Sequence, residues 1–329
     1  MTNPAERDSS AIPTDTSGWG LIAGNGRFPF LVLEAARSQG IDMAVLAIRE
    51  EASSELERHV KRIHWVSLGE LSRAIELLHQ EGVKRAVMAG QVKHKQIFSS
   101  IRPDWRLAKL IFSLPFKNTD SLIGAVAGVL KSEGIELVDS TAFLKPLAPD
   151  AGVLTRRRPD AREAADMAYG RRIARQIAAL DLGQTVVVRE GACVAIEAME
   201  GTDETIRRAA RIVSDAASGS DSSDASAHAE GRVARGAAGS ALVVVKVSKP
   251  RQDMRFDVPV IGLETVEVMR GCGVTALAID AGCTLLFDRP HLIEAADAGG
   301  IAIEAFAVAA AAEAAADAVS AEQPPSEAK

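Results

Sequence analysis

From Trp19 onward the spacing of apolar positions changes at regular intervals. Residues 20–23 form a short apolar run, a glycine turn follows, and apolar residues then recur at helical spacing over 29–39 before Gly40 and a second apolar run at 43–48. Strand, helix, strand in that order is a βαβ unit. The alternation continues with a helix over 68–81, a strand over 85–89, a helix over 120–133 and a strand over 135–139. An open, mainly parallel α/β sheet is therefore expected. Past a linker holding Pro146, Pro149 and Pro159 the pattern changes. It predicts a helix over 161–180, a β-hairpin (185–188 and 192–199) turning at Arg189-Glu190-Gly191, and a helix from Asp203. A strand (242–247), a polar loop, a helix (264–270), two short strands (275–279 and 284–287), a helix (291–298) and a last strand (301–305) complete it. This half reads as a distinct α/β or α+β domain.

Length agrees with two domains, since 329 residues at about 150 per domain gives roughly two. The expected division is a disordered leader (1–17), an N-terminal domain (18–148), a C-terminal domain (149–308) and an Ala/Glu/Pro tail (309–329). Residues 216–240, dominated by Ser, Ala, Gly and Asp, have little to bury and read as a flexible insert. With 47% hydrophobic and 25% charged residues, the composition supports a sizeable core. The net charge of −6 argues against a general electrostatic grip on nucleic acid. Three cysteines with no C-x-x-C pair fit neither a disulfide framework nor a structural zinc site. No apolar run approaches the ~20 residues that span a bilayer, and the first residues are polar, so a cytoplasmic protein is expected.

Several segments carry candidate chemistry. Gly24-Asn25-Gly26 sits at a strand-to-helix turn, where missing side chains let a phosphate approach backbone N–H groups. Pro29 occupies the third glycine position of G-x-G-x-x-G, so a plain tight turn explains the glycines equally well, and a dinucleotide site is disfavoured. Residues 93–117 mix Lys93, Lys95, Arg102, Arg106, Lys109 and Lys117 with Phe98, Trp105, Phe112 and Phe116. Such a stretch suits an anionic lipid surface, or is an amphipathic helix whose apolar side packs on the sheet. Arg156-Arg157-Arg158 with Arg171, Arg172 and Arg175 reads as a solvated basic face. Glu190, Glu197, Glu200 and Asp203 crowd the hairpin and the next helix. Glu197 lies in an apolar strand, where ionisation needs a partner or a metal, whereas Thr202, Asp203 and Glu204 suit a helix start.

The segment Lys246-Val-Ser-Lys249-Pro-Arg-Gln252-Asp253-Met-Arg255-Phe-Asp257-Val-Pro259 is the most informative. Its two prolines predict an extended chain, which would set Asp253, Arg255 and Asp257 on one face and Met254, Phe256 and Val258 on the other. Carboxylates flanking a guanidinium suit a Mg²⁺ and phosphate site, and a salt-bridged loop is the competing reading. The six histidines form no H-x-H or H-E-x-x-H pattern, and P-loop and G-x-S-x-G motifs are absent.

These segments together resemble the bacterial UDP-2,3-diacylglucosamine pyrophosphatases of lipid A biosynthesis, the type unrelated to calcineurin-like metallophosphoesterases. The resemblance runs over about 18–306 and is carried by Gly20 to Pro29, Gly90-Gln-Val92, Asp181 to Gly191, Ala195 to Asp203 and, above all, Lys249 to Pro259 with Gly262. It implies a Rossmann-like N-terminal domain, a C-terminal catalytic domain, a homodimer, and Mg²⁺-dependent hydrolysis, other divalent cations being alternatives. UDP-2,3-diacylglucosamine would be cleaved to UMP and 2,3-diacylglucosamine 1-phosphate. Peripheral contact with the cytoplasmic face of the inner membrane is expected. Asp257, Asp253, Arg255 and Lys249 are the expected catalytic residues. Gly24, Asn25, Gly26, Gln252, Glu190, Thr202 and Asp120 are the expected substrate contacts, and Asp257, Glu197 and Asp203 the expected metal ligands. Where the family tends to have Gly-Asp-Asp, this chain reads Asn118-Thr119-Asp120. The rival readings are a non-catalytic nucleotide-sugar or lipid-binding protein and an NAD(P)-dependent oxidoreductase.

Overall fold

A computed structural model describes residues 16–92, 102–114, 119–218, 241–250 and 252–308. Residues 1–15 of the leader, the tail from 309, most of the proposed insert, Lys93, Lys95, Phe98, Phe116, Lys117 and the Asp120 side chain lie outside the described residues. The chain divides into two compact units. One runs to Pro146 and takes back Gln252–Val258, and the other holds the chain from Leu147 and again from Pro259.

The first unit is a parallel sheet flanked by helices. Its strands are β1 (Trp19–Ala23), β2 (Ala44–Ile48), β3 (Ile63–Val66), β4 (Arg85–Ala89) and β5 (Glu136–Val138), in the order β3-β2-β1-β4-β5. All four pairings are parallel. A parallel sheet is covered on both faces, which is why β2 is an unbroken apolar run with every residue buried. Helices α1 (Phe28–Ser38), α2 (Leu56–His59), α3 (Leu71–Gln80), α4 (Trp105–Ser113) and α5 (Thr119–Ser132) connect the strands. Leu46, Ile75, Leu78, Leu130 and Ile135 anchor one core cluster. Apolar spacing did not predict α2 and β3. In β3, His64 and Trp65 break the run, and His64 is held instead by Glu81, 2.6 Å away.

The second unit has a mixed six-stranded sheet, in the order β6-β13-β11-β9-β7-β8. Its strands are β6 (Gly152–Val153), β7 (Thr185–Arg189), β8 (Ala192–Ile196), β9 (Leu242–Lys246), β11 (Val274–Asp280) and β13 (Ala302–Phe306). Strands β9, β11 and β13 run parallel, and β6 and the β7–β8 hairpin are antiparallel to their neighbours. A separate pair joins β10 (Val260–Ile261) to β12 (Leu285–Leu286). Helix α6 (Ala161–Ala179) covers one face, where Met167, Ala174 and Ile177 meet Val186, Val188, Val243 and Val245. A Cβ on Gly170 would come within 2.7 Å of Val245, so the glycine lets helix and sheet approach closely. Helices α7 (Thr202–Ser218), α8 (Leu263–Gly271) and α9 (Arg289–Ala298) cover the other face with Ile206, Met269 and Leu292. Asp160 and Glu163 form a capping box at the start of α6.

Residues 252–258, expected within the 149–308 domain, cluster with the first unit in the folded chain. The expectation that they are extended is corrected: the Asp253 carbonyl accepts hydrogen bonds from Phe256 N (3.1 Å) and Asp257 N (2.9 Å), which closes a turn. Alternation of side chains therefore does not apply, and Phe256 is drawn into the first unit's core cluster.

Candidate active site

Open α/β sheets gather ligand-binding groups at the carboxyl ends of their strands, near the point where strand order reverses. In the first unit that point lies between β1 and β4, since the chain leaves β1 for β2 and β3 and then returns to pair β4 with β1's other edge. Gly24, Asn25 and Gly26 follow β1, and Gly90 and Gln91 follow β4. The two loops are zipped together: Gly24 N donates to Ala89 O, Asn25 N to Gln91 O and Gln91 N to Asn25 O, at 2.8, 2.8 and 3.0 Å. A Cβ on Gly24 would stand 2.7 Å from Gln91 O, and one on Gly90 2.6 Å from Asn25 O. Both glycines are thus required by backbone against backbone. Gly26, at φ +90° with open space around its Cα, leads into α1, whose N-terminus has Pro29 in its first turn, no side-chain cap and no acid there.

The returned segment is seated at the same edge. Ser140, just past β5, donates its amide to Met254 O (2.9 Å), and its Oγ lies 2.5 Å from the carbonyls of both Met88 and Arg255, which share its one proton. Arg255 grips Asp253 in a fork, Nε to Oδ1 at 2.8 Å and Nη2 to Oδ2 at 2.5 Å. That hydrogen bonding holds the Asp253 carboxyl below the usual range and pushes the Arg255 guanidinium up. Gln252 Nε2 donates to Asp257 O at 2.6 Å, and Asp257 stands half-buried at the end of the turn. Four expected site residues, Gln252, Asp253, Arg255 and Asp257, are thus brought together with one glycine loop on the same unit. The fork is the salt-bridged loop that the sequence offered as an alternative, made between Asp253 and Arg255.

In the second unit the carboxyl edge is built from side chains. Lys246, at the end of β9 and only 7% exposed, donates to Thr202 Oγ1 (3.1 Å) and Val260 O (3.0 Å). Thr202 Oγ1 donates to Glu197 Oε1 at 2.9 Å, and Glu197 Oε2 accepts from Gln184 N at 3.2 Å. The partner that a buried Glu197 required is this hydroxyl and amide pair. Asp203 lies in the first turn of α7, where an acid complements the helix dipole. Lys249 pairs with Asp181 at 2.8 Å.

Asp280 closes the buried strand β11 at 2% exposure, accepts from Ser248 N at 2.8 Å, and faces Arg171 and Arg175 at 3.8 and 3.6 Å. These two arginines correct the expectation of a solvated face. Arg157 does too, since it forks onto Glu163 at 2.7 and 2.9 Å. Arg156, Arg158 and Arg172 remain exposed. Glu190 is not brought to this edge. It turns the β7–β8 hairpin at φ +51°, its amide bound to Asp166 Oδ2, at the far end of β7 from Thr185. Sequence reasoning passed over Ser140, took Lys246 only as the start of the 246–259 segment without a role, and passed over Asp280. A charged residue ending a buried apolar strand was the available signal for the last two.

Among the described residues no group of three or more His, Cys, Asp or Glu side chains is placed to hold a metal ion. Of the expected ligands, Glu197 has both carboxylate oxygens in hydrogen bonds.

Residues 19–147 match the LpxI N-terminal domain and residues 150–304 the LpxI C-terminal domain. A relative in Caulobacter vibrioides, named UDP-2,3-diacylglucosamine pyrophosphatase LpxI, is 32% identical over 286 residues, covering 86% of this chain and 95% of its own. Among solved structures, a biotin carboxylase domain of a thermophilic 2-oxoglutarate carboxylase is similar over 52% of this chain and 34% of its own, at 13% identity and a TM-score of 0.23. The corresponding domain from Hydrogenobacter thermophilus covers 60% of this chain and 42% of its own, at 12% identity and a TM-score of 0.24. Likenesses this weak carry no argument.

Proposed function

The chain belongs to the LpxI family, and from that premise we propose that it hydrolyses the pyrophosphate of UDP-2,3-diacylglucosamine to UMP and 2,3-diacylglucosamine 1-phosphate. The match over nearly the whole length of a relative carrying that name supports the reading over the oxidoreductase and non-catalytic alternatives. Water attacks one phosphorus, the bridging P–O bond breaks, and each product leaves with one phosphate. The chemistry needs positive charge where negative charge builds on the phosphoryl oxygens. Arg255, held in orientation by Asp253, and Lys249 are the residues assigned to supply it, so Asp253 acts as a positioning residue. The Gly24 to Gly26 loop offers backbone to the nucleotide phosphates without side-chain obstruction.

Asp257 is assigned as the principal acid, and Mg²⁺ or another divalent cation as the cofactor that would neutralise the pyrophosphate. The described carboxylates do not gather into a centre of three or more ligands. Thr202 and Gln252 remain assigned to substrate contact. A homodimer working in the cytoplasm completes the proposal. UMP release from the diacylated substrate, followed with and without chelator, tests it. Release that stops with EDTA and returns with Mg²⁺ supports both parts. Release indifferent to EDTA removes the metal, and no release removes the activity.

A further inference from the structure

Helix α4 has two apolar faces where a surface helix needs one. Leu107, 4% exposed, sits in the first unit's core cluster with Leu110, Ile111 and Leu114 packed against it, and this side anchors the helix. Trp105 and Phe112 point the other way and are 68% and 84% exposed. At 3.6 residues per turn, positions 105, 109 and 112 fall within about a sixth of the helix circumference, so Lys109 stands between the two rings. Arg102, just before the helix, is exposed as well.

The charges around this stripe are sorted by sign. Asp104 is turned inward, capping α4 through Leu107 N (2.9 Å) and accepting from Ser72 N (2.6 Å). Glu133 is neutralised by Arg106 at 2.5 Å, and the Arg106 guanidinium also lies 5.4 Å from the Trp105 ring centroid. Among the described residues of α4 and the chain leading into it, Arg102 and Lys109 are left as the outward charges beside two exposed aromatic rings. Exposed tryptophan and phenylalanine flanked by cations match the boundary between anionic headgroups and acyl chains.

We propose that the outer face of α4 docks the protein on an anionic bilayer, with Trp105 and Phe112 entering the interface and Lys109 and Arg102 pairing with lipid phosphates. The choice of a lipid surface rests on charge complementarity and on the reading of the substrate as diacylated, which obliges the enzyme to meet a membrane. Vesicle binding is measured without substrate, so its failure is distinct from failure of the hydrolase reading.

The full chain is sedimented with vesicles of phosphatidylethanolamine and phosphatidylglycerol, and in parallel with phosphatidylcholine alone. Binding to the anionic vesicles, weakened by salt, is expected. The Trp105→Ser/Phe112→Ser pair is expected to lower partitioning about tenfold or more, and Lys109→Gln with Arg102→Gln several-fold at low salt, with unchanged melting temperatures. Phe112→Ser alone serves as the test should the pair fold poorly. Wild-type protein that ignores anionic vesicles, or a Phe112→Ser variant that partitions like wild type, overturns the proposal. So does a change of oligomeric state in the aromatic variants, which would assign this face to a second copy of the chain.

Discussion

The two units solve one problem by different means. At the carboxyl edge of the first unit the parallel sheet is finished with backbone: Gly24 and Gly90 let two loops bond each other, and a turn from far along the chain is fastened through Ser140 to the carbonyls of Met254 and Arg255. At the corresponding edge of the second unit the mixed sheet is finished with side chains, Lys246 through Thr202 to Glu197 and Asp280 between two arginines. Backbone built from glycine leaves room against the sheet but tolerates no added atoms. Charged side chains tolerate changes of shape but not the loss of a buried partner. An edge that must admit a phosphate is suited by the first arrangement, and one that must hold a rigid wall by the second.

The comparison breaks first at Asp257, which sits on the returned turn. Asp257→Asn preserves shape and removes the charge, so turnover is expected to fall by about a hundredfold or more while substrate is still retained. Near wild-type turnover, measured as UMP release, would move the chemistry off the first unit's edge. Next come the glycines. Gly90→Ala combines φ +100° with a Cβ 2.6 Å from Asn25 O and is expected to cost about 3 kcal/mol in chemical denaturation, whereas Gly26→Ala, at φ +90° with nothing near, is expected to cost about 1. Equal costs would mean that the loops are not tightly zipped.

On the second unit, Asp280→Ala leaves the Ser248 amide without its acceptor and two partly buried arginines facing each other. A loss of about 2 kcal/mol is expected, less than for a fully buried pair because both arginines reach solvent. A variant as stable as wild type would show that this edge does not depend on its charges.

The smallest effect is a pH dependence. Burial alone would raise the Glu163 carboxyl, but hydrogen bonds from Arg157, Thr275 and the Asp160 backbone outweigh it and leave it below the ordinary 4.5. A lowered folded value means stability that is fully present above about 4.5 and lost as pH falls through the lower folded value. Glu163→Gln is expected to flatten that acid limb in thermal melts between pH 5 and about 3. Asp253→Asn, on a carboxyl more open to solvent, is expected to flatten it less.

Much of the fold was written in the periodicity. Apolar runs bounded by glycine located β1, β2, β4, β7, β9 and β11, because strands buried on both faces must be apolar along their length. Short pieces escaped: β3 is interrupted by His64, and β6 and β10 have two residues each, too few to show a period. The residue types for chemistry were also legible, and the resemblance carried by 249–259 led to the family. What the sequence could not assign is company. Asp253 and Arg255 pair on a turn rather than lining an extended face, because main-chain bonds to the Asp253 carbonyl close the turn and Ser140, more than a hundred residues earlier, holds it. Arg171 and Arg175 turn from solvent to a buried Asp280 because that carboxylate, at the end of a covered strand, needs compensating charge. Periodicity reports which face a residue buries, since that is set by its near neighbours. Which distant segment completes an edge depends on unsatisfied backbone and charge meeting in space, and only the folded chain brings those together.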